Sequence, residues 1–287
     1  MNALTVASKD QFFEQLADAF AKKINKTEAK KISDFAKQHY AHIPLEELVS
    51  RRFGDTYGAV LAAWQFLQKR SAEETPVAVF NPDLESDGWQ STHTVVFILH
   101  PNIPFLIDSL RIAINQREIG THSIQHSILQ VERNEDGKLR KLHTTKKKAS
   151  DSVYEAFIVL EIDRHSDPED LRDLEDTLQN VLHEVRIAVS DFPVVTEKVN
   201  EILRELDSTT AGIDEEQKQE AREFLEWLAR DHFTFLGYDE YDFAKDKSGM
   251  VVRRVENSEL GILRVNNERP DRVRLNELPQ RTRHEMS

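Results

Sequence analysis

The sequence predicts an α+β chain. Its centre is a ferredoxin-like α/β sandwich with an antiparallel sheet, with a helical N-terminal module before it. A helical linker and the start of a further β-containing module come after. Three observations carry this reading. Thr94 to Gly120 reads as buried strand, tight loop, helix and glycine stop. His122 to Ser190 repeats that grammar as strand, hairpin turn, strand and helix. On both flanks the apolar residues recur at helical spacing, and after His232 the period returns to two. The expected domains are 1–72 (helical), 73–192 (α/β), 193–231 (helical linker) and 232–287 (a β-hairpin opening a further module, truncated).

The N-terminal module reads as three helices. Ser8 with Gln11 fits a capping box, and Phe13, Leu16, Phe20 and Ile24 follow at helical spacing. Thr27 is placed to cap a second helix carrying Ile32, Phe35 and Ala36. After a turn at Ile43-Pro44, Asp55 is placed to start a third, with Tyr57, Val60, Leu61, Trp64 and Leu67 on one face. Ser71 to Pro76 reads as a linker.

In the α/β unit, Thr94 to Leu99 is an uncharged run of β-branched and large residues, as a strand buried on both faces requires. His100-Pro101-Asn102-Ile103-Pro104 ends it, since each proline fixes φ and removes a donor. Pro104 suits the first turn of the next helix. There Leu106, Ile107, Leu110, Ala113 and Ile114 form the apolar stripe, and Gly120 stands where a left-handed helix stop is expected. His122 to Glu132 is a strand of imperfect alternation, which suggests a bulge near Ile128. Asn134-Glu135-Asp136-Gly137 is a hairpin turn of the Asp-Gly type. Val153 to Asp163 is the strongest strand, with Tyr154, Ala156, Ile158, Leu160 and Ile162 on one face. Asp167-Pro168-Glu169-Asp170 then opens a helix with a cap, a first-turn proline and acids at the positive dipole end. Asp191-Phe192-Pro193 is expected to break it. The sandwich needs a fourth strand, for which Val77 to Phe80 and Phe233 to Phe243 both qualify.

Two helices are expected between Val195 and Leu228. A period-two stretch from His232, a turn at Asp246 to Gly249 and a strand from Met250 to Val255 follow.

Composition narrows the function. The chain has 287 residues, 31% of them charged, and a formal net charge of -13. That balance argues against a nucleic-acid binder, whose affinity comes from Lys and Arg. The cluster Lys146-Lys147-Lys148 falls in a loop. With no cysteine, disulfides and Cys-ligated zinc are excluded. The start, MNALTVASKDQFF, lacks an apolar signal core, and no apolar run approaches the ~20 residues of a membrane span. The expectation is a cytoplasmic protein without membrane or nucleic-acid partners.

No two of the nine glycines are two residues apart. Neither G-x-G-x-x-G nor a Walker A loop is present, so no cofactor site is expected in this chain. His122 and His126 lie ~13 Å apart along a strand, too far to share a metal. No nucleophile–base arrangement stands out. The remaining candidate site is the loop at the end of the first sandwich strand: His100, Asn102, Pro104, Phe105, Asp108 and Ser109. It is read as an effector-binding loop or an inter-module contact. No catalytic residue and no metal ligand are assigned.

IPFLIDSLRIAINQREIGTHSIQHSILQVERNEDGKL resembles the N-terminal region of the large bacterial NAD-specific glutamate dehydrogenases. PEDLRDLEDTLQNVLHEVRIAVSDFPVV and FLEWLARDHFTFLGYDEYDF are similar to the same family, as is LEELVSRRFGDTYGAVLAAWQFLQKR more weakly. The resemblance implies ACT-like domains, which are ferredoxin-like βαββαβ units, joined by helices. It also implies a non-catalytic regulatory and oligomerisation segment of a homo-oligomeric NAD-dependent glutamate dehydrogenase. The catalytic domains and the NAD site would lie downstream, and this chain alone would be inactive. Effector-binding ACT domains usually carry a glycine in the loop where this chain has Ile103-Pro104-Phe105, which counts against amino-acid capture there. The alternative is a free-standing ACT-like sensor of small molecules. A third reading is an enzyme whose acids and histidines converge only in space, and it needs a pocket gathering His100 and Asp108.

Overall fold

The computed structural model describes residues 6–71, 74–144, 151–208, 214–246, 249–265 and 272–274. Two compact units divide it, Met1–Leu182 and His183–Ser287.

The first unit opens with four helices. In α1 (Lys9–Lys23) the Ser8 hydroxyl accepts from Gln11 N–H. The return bond goes from Ala7 N–H to Gln11 Oε1, one residue earlier than a strict capping box would place it. α2 (Lys26–His39) is capped by Asn25, whose Oδ1 accepts from Glu28 N–H, and not by Thr27. Asparagine is as good a cap as threonine, and it stands one turn ahead of the apolar stripe. A short α3 (Leu45–Ser50) occupies the stretch expected as a turn. α4 (Phe53–Phe66) begins two residues before Asp55, with Arg52 as an N-cap that makes no side-chain bond.

The sheet contains β1 (Val77–Phe80), β2 (Thr94–Pro101), β3 (Thr121–Arg133), β4 (Leu139–Leu142) and β5 (Val153–Ile162) in the order β1-β2-β5-β3-β4, all antiparallel. α5 (Leu106–Gln116) carries the chain from β2 to β3 and leaves the gap that β5 fills. The fourth sandwich strand is β1, from before the unit. Phe233 to Phe243 is no such strand: a π-helical turn at Leu228–His232 precedes it, and only Gly237–Tyr238 and the start of a later strand are extended. β4 is an extra edge strand that the sequence pattern did not show, since its four residues include Arg140 and Lys141. Such charges suit an edge.

Both faces of the sheet are covered. Val95, Phe97, Leu99, Leu129, Val131, Phe157 and Val159 share one core with Phe12, Leu16, Phe35, Val60 and Trp64 of α1, α2 and α4. Phe35 and Phe66 both meet Phe157. On the alternate face, Val96, Ile98, Ala156, Ile158 and Leu160 are buried, as are Leu110 and Ile114 of α5 and Leu174 and Leu178 of α6 (Pro168–Ser208). Arg117 ties the end of α5 to α6 through Asp173 and Thr177.

Four local expectations are corrected. β3 has no bulge at Ile128; its register shifts lie at Thr121/Ser123 and Glu132/Arg133, and Ile128 faces outward. The left-handed residue after α5 is Glu118 (φ 59), not Gly120. Gly120 serves a close approach instead: its N–H donates to Asp163, whose carboxylate would meet any Cβ. Pro104 lies just outside α5, because the helix starts at Leu106. α6 passes through Pro193 without ending. Burial of Val195 and Val199 on the far side of the proline compensates for the lost hydrogen bond.

In the second unit, α7 (Glu215–Trp227) precedes a short pair, β6 (Gly237–Tyr238) with β9 (Leu260–Gly261). β7 (Tyr241–Asp246), β8 (Gly249–Arg254) and β10 (Arg272–Arg274) form a three-stranded antiparallel sheet in the order β10-β8-β7. The expected turn between β7 and β8, and the lysine cluster 146–148, lie in whole or part outside the described residues.

Polar bonds clamp the N-terminal helices to the sheet, and one gives a pH dependence. His39 of α2 is buried, stacked on Phe35, with Nδ1 2.8 Å from Ser127 Oγ on β3. Burial lowers its pKa from 6.5 to about 3. Protonation therefore favours the unfolded chain. Stability is full above pH ~6.5 and falls below it by about 1.4 kcal/mol per pH unit. Urea unfolding at pH 7 and pH 5, where most carboxylates stay ionised, is expected to differ by about 2 kcal/mol, and His39→Gln is expected to remove most of that difference.

Candidate functional site

The loop leaving β2 is built from strand end, two prolines and an uncapped helix start. Asn102 N–H donates to Tyr154 O at 2.9 Å, which extends the β2–β5 ladder one residue past Pro101. Phe105 then adopts φ 69, ψ 0 as the N-cap of α5. This is the left-handed region, where glycine is the default and a bulky residue costs of order 1–2 kcal/mol. The loop thus keeps the backbone shape of a glycine turn while a phenyl ring stands half exposed on it. Ser109 N–H donates to Phe105 O, closing the first turn of α5, and Asp108 places a carboxylate in that turn. Asn102, Pro104, Phe105 and Asp108 are exposed and Ser109 is half-buried. His100 is separated from them. Its side chain is fully buried, with Nδ1 2.8 Å from the Pro101 carbonyl.

The arrangement supplies a polar rim with one aromatic ring, and the negative charge of Asp108 already complements the helix dipole. Among the described residues no cluster of three metal-ligating side chains occurs.

Opposite Pro101 in the ladder lies Glu155, a residue the sequence reading missed. Its carboxylate is fully buried and receives Arg70 Nε at 2.9 Å, Arg133 Nε at 2.8 Å and Arg133 Nη2 at 2.7 Å. Arg70 follows α4 and Arg133 ends β3, so the cluster locks the helical face to the sheet. At the other end of β5, Arg51 forms a two-pronged pair with Glu161 at 2.6 and 3.1 Å. The available signal was a pair of carboxylates inside the otherwise apolar run Val153 to Ile162, since a strand buried on both faces tolerates acids only when they are paired.

The fold defines a ferredoxin-like sandwich whose second sheet face carries helices, with no feature of a nucleotide-binding turn among the described residues. Residues 35–178, half of the chain, match the family model for the glutamate dehydrogenase ACT1 domain, and the chain belongs to that family. The match runs from within α2 to within α6, so it takes in the whole five-stranded sheet. Curated relatives agree. The chain is 40% identical over 257 residues to the NAD-specific glutamate dehydrogenase of Halomonas elongata, covering 89% of this chain and 16% of that protein. It is 38% identical over 265 residues to that of Pseudomonas aeruginosa, covering 92% and 16%. A Mycobacterium tuberculosis NAD-specific glutamate dehydrogenase is 26% identical over 200 residues, covering 67% and 12%. The chain therefore spans about one sixth of the length of the first two relatives. No helix among the described residues is long and apolar enough to cross a membrane.

Proposed function

We propose that this chain is the non-catalytic N-terminal regulatory and oligomerisation segment of a cytoplasmic NAD-dependent glutamate dehydrogenase. The parent enzyme would convert L-glutamate, NAD and water to 2-oxoglutarate, ammonia and NADH. Its partners would be the downstream catalytic domains, which hold the NAD, and the other subunits of a homo-oligomer. The observation that carries this is the ACT1 family match across the complete sheet, together with two relatives near 40% identity over about nine-tenths of the chain.

Within this reading, the loop from His100 to Ser109 serves packing against a neighbouring module more than effector capture. Pro101 and Pro104 remove two N–H donors, Asp108 repels a carboxylate, and Phe105 offers an aromatic anchor of the kind enriched at interfaces.

A chimera tests the proposal. The matching segment of the Halomonas enzyme is replaced by this chain, and glutamate-dependent NADH formation and molar mass in solution are measured. The expected result is an active oligomer for the chimera and loss of assembly or of activity when the segment is deleted. A deletion enzyme indistinguishable from the parent in mass, turnover and effector response would contradict a regulatory or assembly role.

A further inference from the structure

His122 is too far along its strand from His126 to share an ion with it, but the fold gives it a different neighbour. β3 opens with a register shift: Thr121 lies opposite Ile162 and Ser123 opposite Glu161, so His122 is the extra residue of a bulge. Bulges re-aim a side chain. Here the bulge brings His122 onto His93, the residue just before β2. The two imidazole rings stand 4.1 Å apart between centroids, with their planes at 35°. They approach from either side of β5, which lies between β2 and β3 in the sheet.

Each ring has one nitrogen turned to oxygen groups. His122 Nε2–H donates to Asp163 Oδ1 at 2.8 Å. His93 Nδ1 is 3.4 Å from Thr92 Oγ1 and 3.9 Å from Glu161 Oε2. These contacts place the ring protons on the sides facing the oxygens and leave a lone pair on His122 Nδ1 and on His93 Nε2. An imidazole backed by a carboxylate is the arrangement that orients histidine ligands of metal ions. Asp163 is itself fixed, since Gly120 N–H donates to its Oδ2 at 2.7 Å. The bonds from His122 and from that N–H hold its carboxyl below the usual carboxylate range. Both rings are partly exposed, so an ion reaches them from solvent. The nearby guanidinium groups are engaged elsewhere, Arg51 on Glu161 and Arg164 on the Ser91 carbonyl.

We propose that His93 and His122 form a two-imidazole site for a divalent transition-metal ion of the Cu²⁺ or Ni²⁺ type. The ring spacing selects that type. With a metal–nitrogen bond of about 2.0–2.1 Å a ring centre stands about 3.2 Å from the ion, so centres 4.1 Å apart subtend roughly 80°. That is close to the right angle between neighbouring positions of a square-planar or octahedral shell, and well short of the tetrahedral angle that zinc prefers. No third ligating side chain joins them among the described residues, so water completes the shell. Asp163 and Glu161 act behind the ligands, one orienting each ring. The bound ion pins the entry of β2 to the start of β3 across the end of β5. The site is separate from the His100–Ser109 loop, and its binding belongs to this chain whether or not the chain regulates a dehydrogenase.

The experiment is calorimetric titration of the untagged 287-residue chain with Cu²⁺, Ni²⁺ and Zn²⁺ in a non-chelating buffer, with thermal unfolding and electron paramagnetic resonance of the Cu²⁺ complex. Cu²⁺ is expected to bind one-to-one with a Kd of about 10 μM or tighter, ahead of Ni²⁺ and Zn²⁺, and to raise the melting temperature. The resonance spectrum is expected to show two nitrogen ligands. His93→Gln and His122→Gln are each expected to weaken Cu²⁺ binding by about tenfold or more and to leave one nitrogen in the spectrum. Both positions are partly exposed, so the metal-free variants are expected to melt nearly as the parent does. Asp163→Asn keeps an acceptor for Gly120 N–H and is expected to weaken binding by about 10–100-fold, as loss of a carboxylate behind a ligand does. His126→Gln, on the same strand but outside the pair, is expected to leave binding unchanged. Cu²⁺ binding no tighter than about 1 mM, binding that survives undiminished in His93→Gln and His122→Gln, or a single nitrogen in the parent spectrum overturns the proposal.

Discussion

Glu155→Ala is expected to destabilise the chain by about 3–5 kcal/mol, the cost of leaving buried charges without their partner. Domains of this kind have only about 5–15 kcal/mol in total, so the variant is expected to be partly unfolded or insoluble at growth temperature. The side chains of Arg70, Arg133 and Glu155 are 7%, 8% and 0% exposed, so water cannot take over when the carboxylate is removed. Two guanidinium groups would remain buried. Arg70 would keep the carbonyls of Ser71 and Glu74, and Arg133 those of Leu67 and Gly137, which hold them in place without neutralising them. By contrast, an exposed pair such as Lys30–Asp34 is worth about 0–1 kcal/mol. Urea unfolding of Glu155→Ala beside Asp34→Ala separates the two cases. A loss below ~1 kcal/mol for Glu155→Ala would mean that the cluster adds no more than a surface pair.

Leu110→Ala is expected to cost about 2–5 kcal/mol, because Leu110 is fully buried between α5 and the sheet and the alanine leaves a cavity. Ile112, two residues on, is 57% exposed, and Ile112→Ala is expected to stay within ~0.5 kcal/mol. Chemical denaturation of both variants reads the difference directly. Similar costs at the two positions would mean that the helix buries a different face.

The stripe containing Leu110 was legible because helical periodicity is local: Leu106, Leu110, Ala113 and Ile114 are all buried. The strands Thr94–Pro101 and Val153–Ile162 were legible for the same reason, as runs too apolar to stand on a surface. The choice of fourth strand was not. Val77 to Phe80 and Phe233 to Phe243 look alike locally, and pairing across a sheet is decided by long-range geometry. Pro193 misled because a local helix breaker was outweighed by the burial of Val195 and Val199. In the candidate loop the sequence showed where the strand ends and which residues are polar. It did not show that Phe105 would take a glycine's backbone conformation, or that His100 would turn inward. The ion pairs of Glu155 and Glu161 with Arg70 and Arg51 join residues 85 and 110 positions apart, a separation that no local pattern encodes.

The most direct test of the account is an assay of the purified 287-residue chain for glutamate-dependent NADH formation, with NAD binding followed by calorimetry in the same preparation. A regulatory segment whose catalytic and cofactor domains lie elsewhere predicts no turnover and no saturable NAD binding. Turnover that co-purifies with the chain at constant specific activity, or tight one-to-one NAD binding, would contradict it.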